Sequence, residues 1–414
     1  MRDHSKHIQV DRNEAAGIII RHTPRITSAE SVPVIEAVGR VLAEDAVSRW
    51  DNPNMRTARM DSVAVRWDDF AGGMPDTADW VRGRDWDFAN TGVAMPEGFD
   101  TAIPVEQVMF SDNDTKVAFK TCPSARFDGT SAPGSIMKAG EELVTAGTEL
   151  TPILASYIAN GNNAHVLVLK KPVVAFIPTG NELIHAGKDE VPAGKNVEST
   201  SITIAEKVRS WGGEPLISDI VKDDREALKT ALLAAAEQAD IVVLNAGSSK
   251  GSDDWGMEAL EEIGTVLYHE VNHGPGHHSS FSVVNGTPVI GLSGPPDGGA
   301  ITADLYLYPA VRAALGQEPH LKKVKARLAE SFERSRSKSG KNKKRQYETG
   351  AFYVVKQMKL SVSDDGILKA WPPEGSHLSP LQAGAADAYY LLLTSREAMD
   401  PQPGEIIEVE LKPR

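Results

Sequence analysis

One cysteine in 414 residues, Cys122, leaves no intramolecular disulfide to form and no thiolate set for a metal cluster. No stretch reaches the ~18 apolar residues that a membrane span requires. The opening "MRDHSKHIQVDRNEAAGIIIRH" is charged throughout, without an apolar run of signal-peptide length. Together these absences predict a cytoplasmic protein with no membrane partner. Positive charge is also scarce: 44 Lys and Arg against 57 Asp and Glu give a net charge of −13. A phosphate backbone would be repelled by most of such a surface, which excludes general nucleic-acid binding.

What is present is ordinary soluble composition, 41% hydrophobic and 24% charged. The length exceeds what one hydrophobic core organises, so two to four domains are expected. Residues 8–24 carry apolar side chains at helical spacing, and "SAESVPVIEAVGRVLAEDAVS" predicts a second helical stretch capped by Ser28. From Arg49 the chain is turn-rich, with strand-like pieces such as "TAIPVEQV" and "KVAFK" recurring to about residue 135. "GTELTPILASYIANGN" then predicts a helix after Thr151.

From Pro172 the rhythm changes. "PVVAFIPTG", "DIVVLNAGSSKGSDDW" and "TPVIGLSGPPDGG" are continuous apolar runs ending in small-residue loops, the pattern of buried parallel strands. They alternate with the helical "STSITIAEKVRSWGG", "DDREALKTALLAAAEQA" and "AITADLYLYPAVRAAL". This predicts a doubly wound α/β domain with its ligand at the carboxyl ends of the strands. Short strands return after about residue 319, predicting a small β-barrel or sandwich. The basic stretch 334–345, "RSRSKSGKNKKR", reads as a solvated hairpin loop, with an anion-contacting arm as the alternative.

Three of the strand-end loops place carboxylates beside small residues. They supply Thr179, Gly180 and Glu182; Ser248, Ser249, Lys250, Gly251, Asp253 and Asp254; and Ser293, Gly294, Pro296 and Asp297. Glycines let backbone N–H groups approach an anion, and a following helix N-terminus adds positive potential. Nearby carboxylates suit Mg²⁺, which shares oxygen ligands with substrate phosphates. None of these loops is a P-loop or a dinucleotide fingerprint.

"MDSVAVR", "TGVAMPEGFDTAIPVE", "PTGNELIHAG", "GSSKGSDDW" and the Pro-Gly loops come in the order found in the molybdopterin molybdenumtransferase family (MoeA and the gephyrin E-domain), which the chain resembles over nearly its whole length. The resemblance implies a homodimer of four-domain subunits. Their parts would be a helical linking domain (1–45 and 138–170), an inserted β-rich domain (46–137), a molybdopterin-binding-like α/β domain (171–318) and a C-terminal β-barrel-like domain (319–414). It further implies insertion of molybdate into adenylylated molybdopterin with release of AMP and with Mg²⁺. Partners would be the small pterin substrate, other cofactor-assembly proteins or a molybdoenzyme.

Carried over residue by residue, the resemblance marks Asp61, Thr91, Glu182, Asp223 and Asp254 as catalytic, with Glu97, Asp100 and Glu106 in the matching inserted stretch. Glu182, Asp223 and Asp254 would face Mg²⁺. Thr179, Gly180, Ser248, Ser249, Gly251, Pro275, Gly276, His277, Gly294 and Pro296 would contact the ligand.

The departures are equally specific. Asn181 replaces an aspartate, Glu198-Ser199-Thr200 replaces Asp-Ser-Asn, and Ser293-Gly294-Pro295-Pro296 replaces a Pro-Gly-Asn-Pro loop. Gly274-Pro275-Gly276-His277-His278 stands where the family has Lys-Pro-Gly-Lys-Pro. Losing two charge-assisted hydrogen bonds of about 1.5–3 kcal/mol each would weaken anion binding roughly 10²–10⁴-fold. Arg59 and Lys250 could replace the lost charge. Zn²⁺ or Ni²⁺ on His269, His273, His277 and His278 is the other reading of this loop, although helical i, i+4 spacing cannot run through Gly274-Pro275-Gly276. The remodelled anion loop is preferred. Two further readings are a non-catalytic, cofactor-binding or scaffold relative and a transferase with an altered pterin or with tungstate.

Overall fold

The structure, a computed structural model, describes residues 8–187, 189–245, 255–332, 351–373, 380–394 and 399–413. Ser248, Ser249, Lys250, Gly251, Asp253, Asp254 and the basic stretch 334–345 lie outside the described residues. The chain divides into two compact units, 29–169 and 1–28 with 170–414. No described helix is long and apolar enough to cross a membrane.

In the unit 29–169, the strand Ala29–Pro33 pairs antiparallel with His165–Leu169. The helix Pro152–Asn160 begins as predicted: Thr151 accepts from Leu154 N–H through its hydroxyl, and Pro152 occupies the first turn, where no N–H is needed. Its inner face packs Ala155 and Ile158 with Val34, Leu42, Leu150 and Val168. A second core forms around Val63, Val65, Trp86 and Phe119, with Phe70 and Phe119 meeting edge to face at 5.2 Å. Here Ser62–Val65 lies between Asp87–Ala89 and Thr101–Pro104, and Val108–Ser111 makes a hairpin with Lys116–Phe119.

The helix expected over 28–48 is not formed. The stretch is a strand, the single 3₁₀ turn Val34–Glu36 and a short strand Ala46–Val47. Pro33 offers no N–H, β-branched Val32 and Val34 favour extended backbone, and Gly39 turns the chain at φ 78°. The apolar positions that mimicked a helix face include Ile35, which is 88% exposed. Pairing with 165–169 won over local periodicity.

The larger unit contains the predicted α/β domain. Its sheet runs Glu214–Ile217, Val173–Pro178, Ile241–Asn245, Thr287–Leu292, Ser280–Val284, Thr265–Tyr268. The first four strands are parallel and the last two antiparallel. Val174, Phe176, Val242, Val243, Val289 and Ile290 are fully buried, which is why these strands read as unbroken apolar runs. Asp224 caps the helix Arg225–Gln238 by accepting from Ala227 N–H. Toward the C-terminus, Tyr353–Val362, Leu368–Trp371, Lys323–Leu328, Ile406–Leu411 and Ala388–Leu393 close into a five-stranded barrel. His273–Gly274 adds in parallel to Tyr353–Val354. Arg12, at the start of the helix Arg12–His22, makes a buried two-point pair with Glu410 of the barrel at 3.0 and 2.8 Å.

Candidate functional site

At the carboxyl ends of the parallel strands lies a cavity of about 660 Å³. Thr179 follows the strand Val173–Pro178, buried, with its hydroxyl donating to the carbonyl of Asn245 at 2.9 Å. That bond ties two neighbouring strand ends together. Gly180 has φ 151°, and a Cβ there would stand 2.5 Å from the Glu182 carboxylate, so only glycine suits this turn. Glu182 consequently folds back over the turn and lines the cavity.

Behind it, Asn181 and Asp223 hold each other. The Asn181 N–H donates to Asp223 Oδ2 at 2.9 Å, and the Asp223 N–H donates to Asn181 Oδ1 at 3.3 Å. Asn181 therefore performs an acceptor's task that an aspartate could share, without adding a second charge beside Asp223. Glu198, also on the wall, accepts from the N–H and hydroxyl of Ser201 at 2.8 and 2.5 Å. This sets a carboxylate at the positive end of the helix Thr200–Ser210. Across the cavity, Ser293, Gly294, Pro295 and Pro296 form the lip. A Cβ on Gly298 would meet Ser293 Oγ at 2.5 Å, so this glycine lets the lip close onto the helix Pro296–Thr302.

The histidine loop resolves into separate roles. His269 accepts from Ile8 N–H at 3.0 Å through Nδ1, and its Nε2 faces Glu261 at 3.3 Å. His273, fully buried, donates from Nδ1 to the Pro275 carbonyl at 3.0 Å, and its Nε2 accepts from the Tyr306 hydroxyl at 2.6 Å. Burial pushes its pKa down to about 3. Their ring nitrogens are thus taken, which overturns the metal reading for His269 and His273. Among the described residues, no group of three or more His, Cys, Asp or Glu is placed to hold a metal ion. His278 lies on the cavity wall, 3.5 Å from Glu270, and His277 packs on it with ring centroids 3.7 Å apart.

Of the residues predicted from sequence, Thr179, Glu182, Gly294 and Pro296 line the cavity together. Asp223 stands behind Asn181, and Pro275, Gly276 and His277 belong to the loop that presents His278. In the other unit, Asp61 Oδ1 accepts from both the N–H and the hydroxyl of Thr91, at 2.8 and 2.9 Å. These bonds hold the Asp61 carboxyl below the usual range. Arg59 pairs with Asp128 at 3.8 Å, and Asp100 accepts from Trp67 N–H and the Thr101 hydroxyl. Glu97 and Glu106 are exposed. Sequence reasoning missed Asn245 on the wall; its signal was a polar residue closing an otherwise apolar strand.

The fold defines a multidomain α/β protein with a cavity of small-molecule size at its strand ends. Two family models match in order: "MoeA N-terminal region (domain I and II)" over residues 10–160 and "Probable molybdopterin binding domain" over 175–313. The chain belongs to the MoeA family. It is 25% identical over 429 aligned residues to a molybdopterin molybdenumtransferase of Haemophilus influenzae, covering 96% of this chain and 97% of the relative. A molybdopterin molybdenumtransferase of Nostoc is 27% identical over 340 residues, 76% of this chain and 77% of that one. Two structures of molybdopterin biosynthesis MoeA protein from Pyrococcus horikoshii share the fold, with TM-scores of 0.74 and 0.71 at 24% identity. Each covers 97% of this chain, and 98% and 100% of the solved chains.

Proposed function

We propose that the chain is a transferase of molybdenum cofactor biosynthesis, inserting molybdate into adenylylated molybdopterin with release of AMP. The observation that carries this reading is the strand-end cavity, with Glu182 over the Gly180 turn and the helix Thr200–Ser210 opening onto it, in a chain aligned end to end with molybdenumtransferases. Backbone amides of the lip Ser293-Gly294 would meet a phosphate; Glu182 offers an oxygen ligand on the wall. One carboxylate beside substrate phosphates is a donor set that suits Mg²⁺. Glu182 would hold it, since Asp223 is engaged with Asn181 and Glu198 with Ser201. Bound there, the ion would neutralise phosphate charge. Asp61, held as an anion by Thr91, is the inserted stretch's candidate for a part in turnover. A homodimer, the four-domain division and a cytoplasmic setting belong to the same proposal.

The test is AMP release and metal-loaded cofactor followed together, with adenylylated molybdopterin, Mg²⁺ and molybdate. Turnover in the wild type, lowered at least tenfold in Asp61→Ala and in Glu182→Gln, is the expected result. Unchanged turnover in both variants would remove these carboxylates from the mechanism, and binding without turnover would make the chain a carrier.

The histidine loop gives a second prediction. His277→Lys restores one ammonium of the lost pair, and a charge-assisted hydrogen bond of about 1.5–3 kcal/mol should tighten AMP binding roughly tenfold or more. Calorimetry showing equal affinity in the two proteins would take this loop out of anion contact.

A further inference from the structure

Asn245 ends the central strand Ile241–Asn245 and is 97% buried by the complement of its 3% exposure, yet its Oδ1 has no hydrogen-bond partner among the described residues. Leaving a buried amide oxygen unsatisfied destabilises a fold. Its neighbours explain why none of the described residues answers it. The Thr179 hydroxyl, the closest candidate by strand pairing, donates instead to the Asn245 main-chain carbonyl. On another side, a Cβ added to Gly299 would lie 3.9 Å from Oδ1, so the helix Pro296–Thr302 presents only a glycine there. The side chain lies on the wall of the 660 Å³ cavity, where a ligand can reach it.

An amide oxygen is an acceptor. It repels phosphate oxygens and selects N–H or O–H donors. Of the two carboxylates on the wall, Glu198 is engaged with Ser201, and Glu182 is the one assigned above to the metal. Asn245 is therefore a buried, neutral acceptor on the wall of the cavity, beside the two carboxylates.

We propose that Asn245 is a specificity-determining residue that accepts a hydrogen bond from an N–H on the donor-bearing edge of a lactam heterocycle such as a pterin. The heterocycle lies against the end of the central strand while the phosphates lie elsewhere in the cavity. This inference rests on the transferase reading of the same site.

The experiment uses the full chain and two variants, Asn245→Leu, close to isosteric, and Asn245→Ala. Melting temperature is measured for each, together with Kd for adenylylated molybdopterin and, separately, for AMP. A site built to hydrogen-bond a ligand N–H loses affinity steeply when its partner is removed. Pterin-ligand affinity should fall about tenfold to hundredfold, AMP affinity should stay within about twofold, and the melting temperature of Asn245→Leu should hold or rise because an unsatisfied group is gone. A merely structural asparagine would give the reverse: lower melting temperature and parallel loss of both ligands. That result, or unchanged pterin affinity, would overturn the proposal while leaving AMP release by the wild type intact. A wild type that binds neither ligand would overturn both the proposal and the transferase reading.

Discussion

Asp304→Ala should cost about 3–5 kcal/mol of stability, the penalty typical of removing one member of a buried ion pair. Asp304 is fully buried in a π-helical segment, Ala303–Leu307. One carboxylate oxygen accepts from Lys207 Nζ at 2.5 Å, reaching the helix Thr200–Ser210; the other accepts from the Tyr389 hydroxyl at 2.6 Å, reaching the barrel strand Ala388–Leu393. Burial pushes the Asp304 carboxyl up, and Lys207, Tyr389 and Lys412 pull it back down. Lys412 itself is depressed to about 8 by burial.

Truncation would leave the Tyr389 hydroxyl without its acceptor and Lys207 without its counter-charge. The helix bordering the cavity and the barrel would lose their shared tie at once. Urea unfolding should show an earlier midpoint, and the double variant Asp304→Leu with Lys207→Met should recover most of the loss, because no uncompensated charge remains. A loss below about 1 kcal/mol in Asp304→Ala would mean that the network is solvated and contributes little.

The sequence revealed what depends on local pattern. The parallel strands were legible because a strand covered on both faces must be apolar along its whole length, as in "VVAFIP" and "IVVLN". Thr151 and Pro152 announced a helix start through the chemistry of the first turn. Residues 28–48 misled because Val34, Val38 and Val41 satisfy a helical spacing, while the strands 29–33 and 46–47 find their partners beyond residue 140. The site divided in the same way. The Gly180 turn and Glu182 are neighbours in sequence and were found together. Asn245 meets the ligand space from another strand, and Asp304 meets Tyr389 across 85 residues, so no local signal could mark either. His273 resembled a metal ligand for the same reason: Tyr306, the group that occupies Nε2, is 33 residues away.

That histidine should make the protein acid-sensitive in a defined window. The neutral tautomer with hydrogen on Nδ1 satisfies both neighbours, since the Pro275 carbonyl can only accept and the Tyr306 hydroxyl donates to Nε2. Protonation would put two donors against each other at 2.6 Å, with Tyr306 fully buried and the Arg12 charge nearby. With a folded pKa of about 3 against an ordinary 6.5, the unfolded chain binds the proton first as pH falls. The contribution is therefore whole above about pH 6.5 and shrinks toward pH 3; at pH 5 about 2 kcal/mol would be gone, at 1.36 kcal/mol per unit. His273→Gln cannot titrate. Its stability, lower at pH 7, should fall less steeply between pH 6 and 4, by close to one proton in the slope. Subtracting the two profiles removes the carboxylates and the other histidines common to both proteins. Parallel profiles would show that His273 accepts a proton without cost, and the Tyr306 bond could not then be what orders the loop beneath His278. A slope difference of one proton would instead establish that the histidine stretch is held by a neutral core imidazole, leaving His278 on the cavity wall.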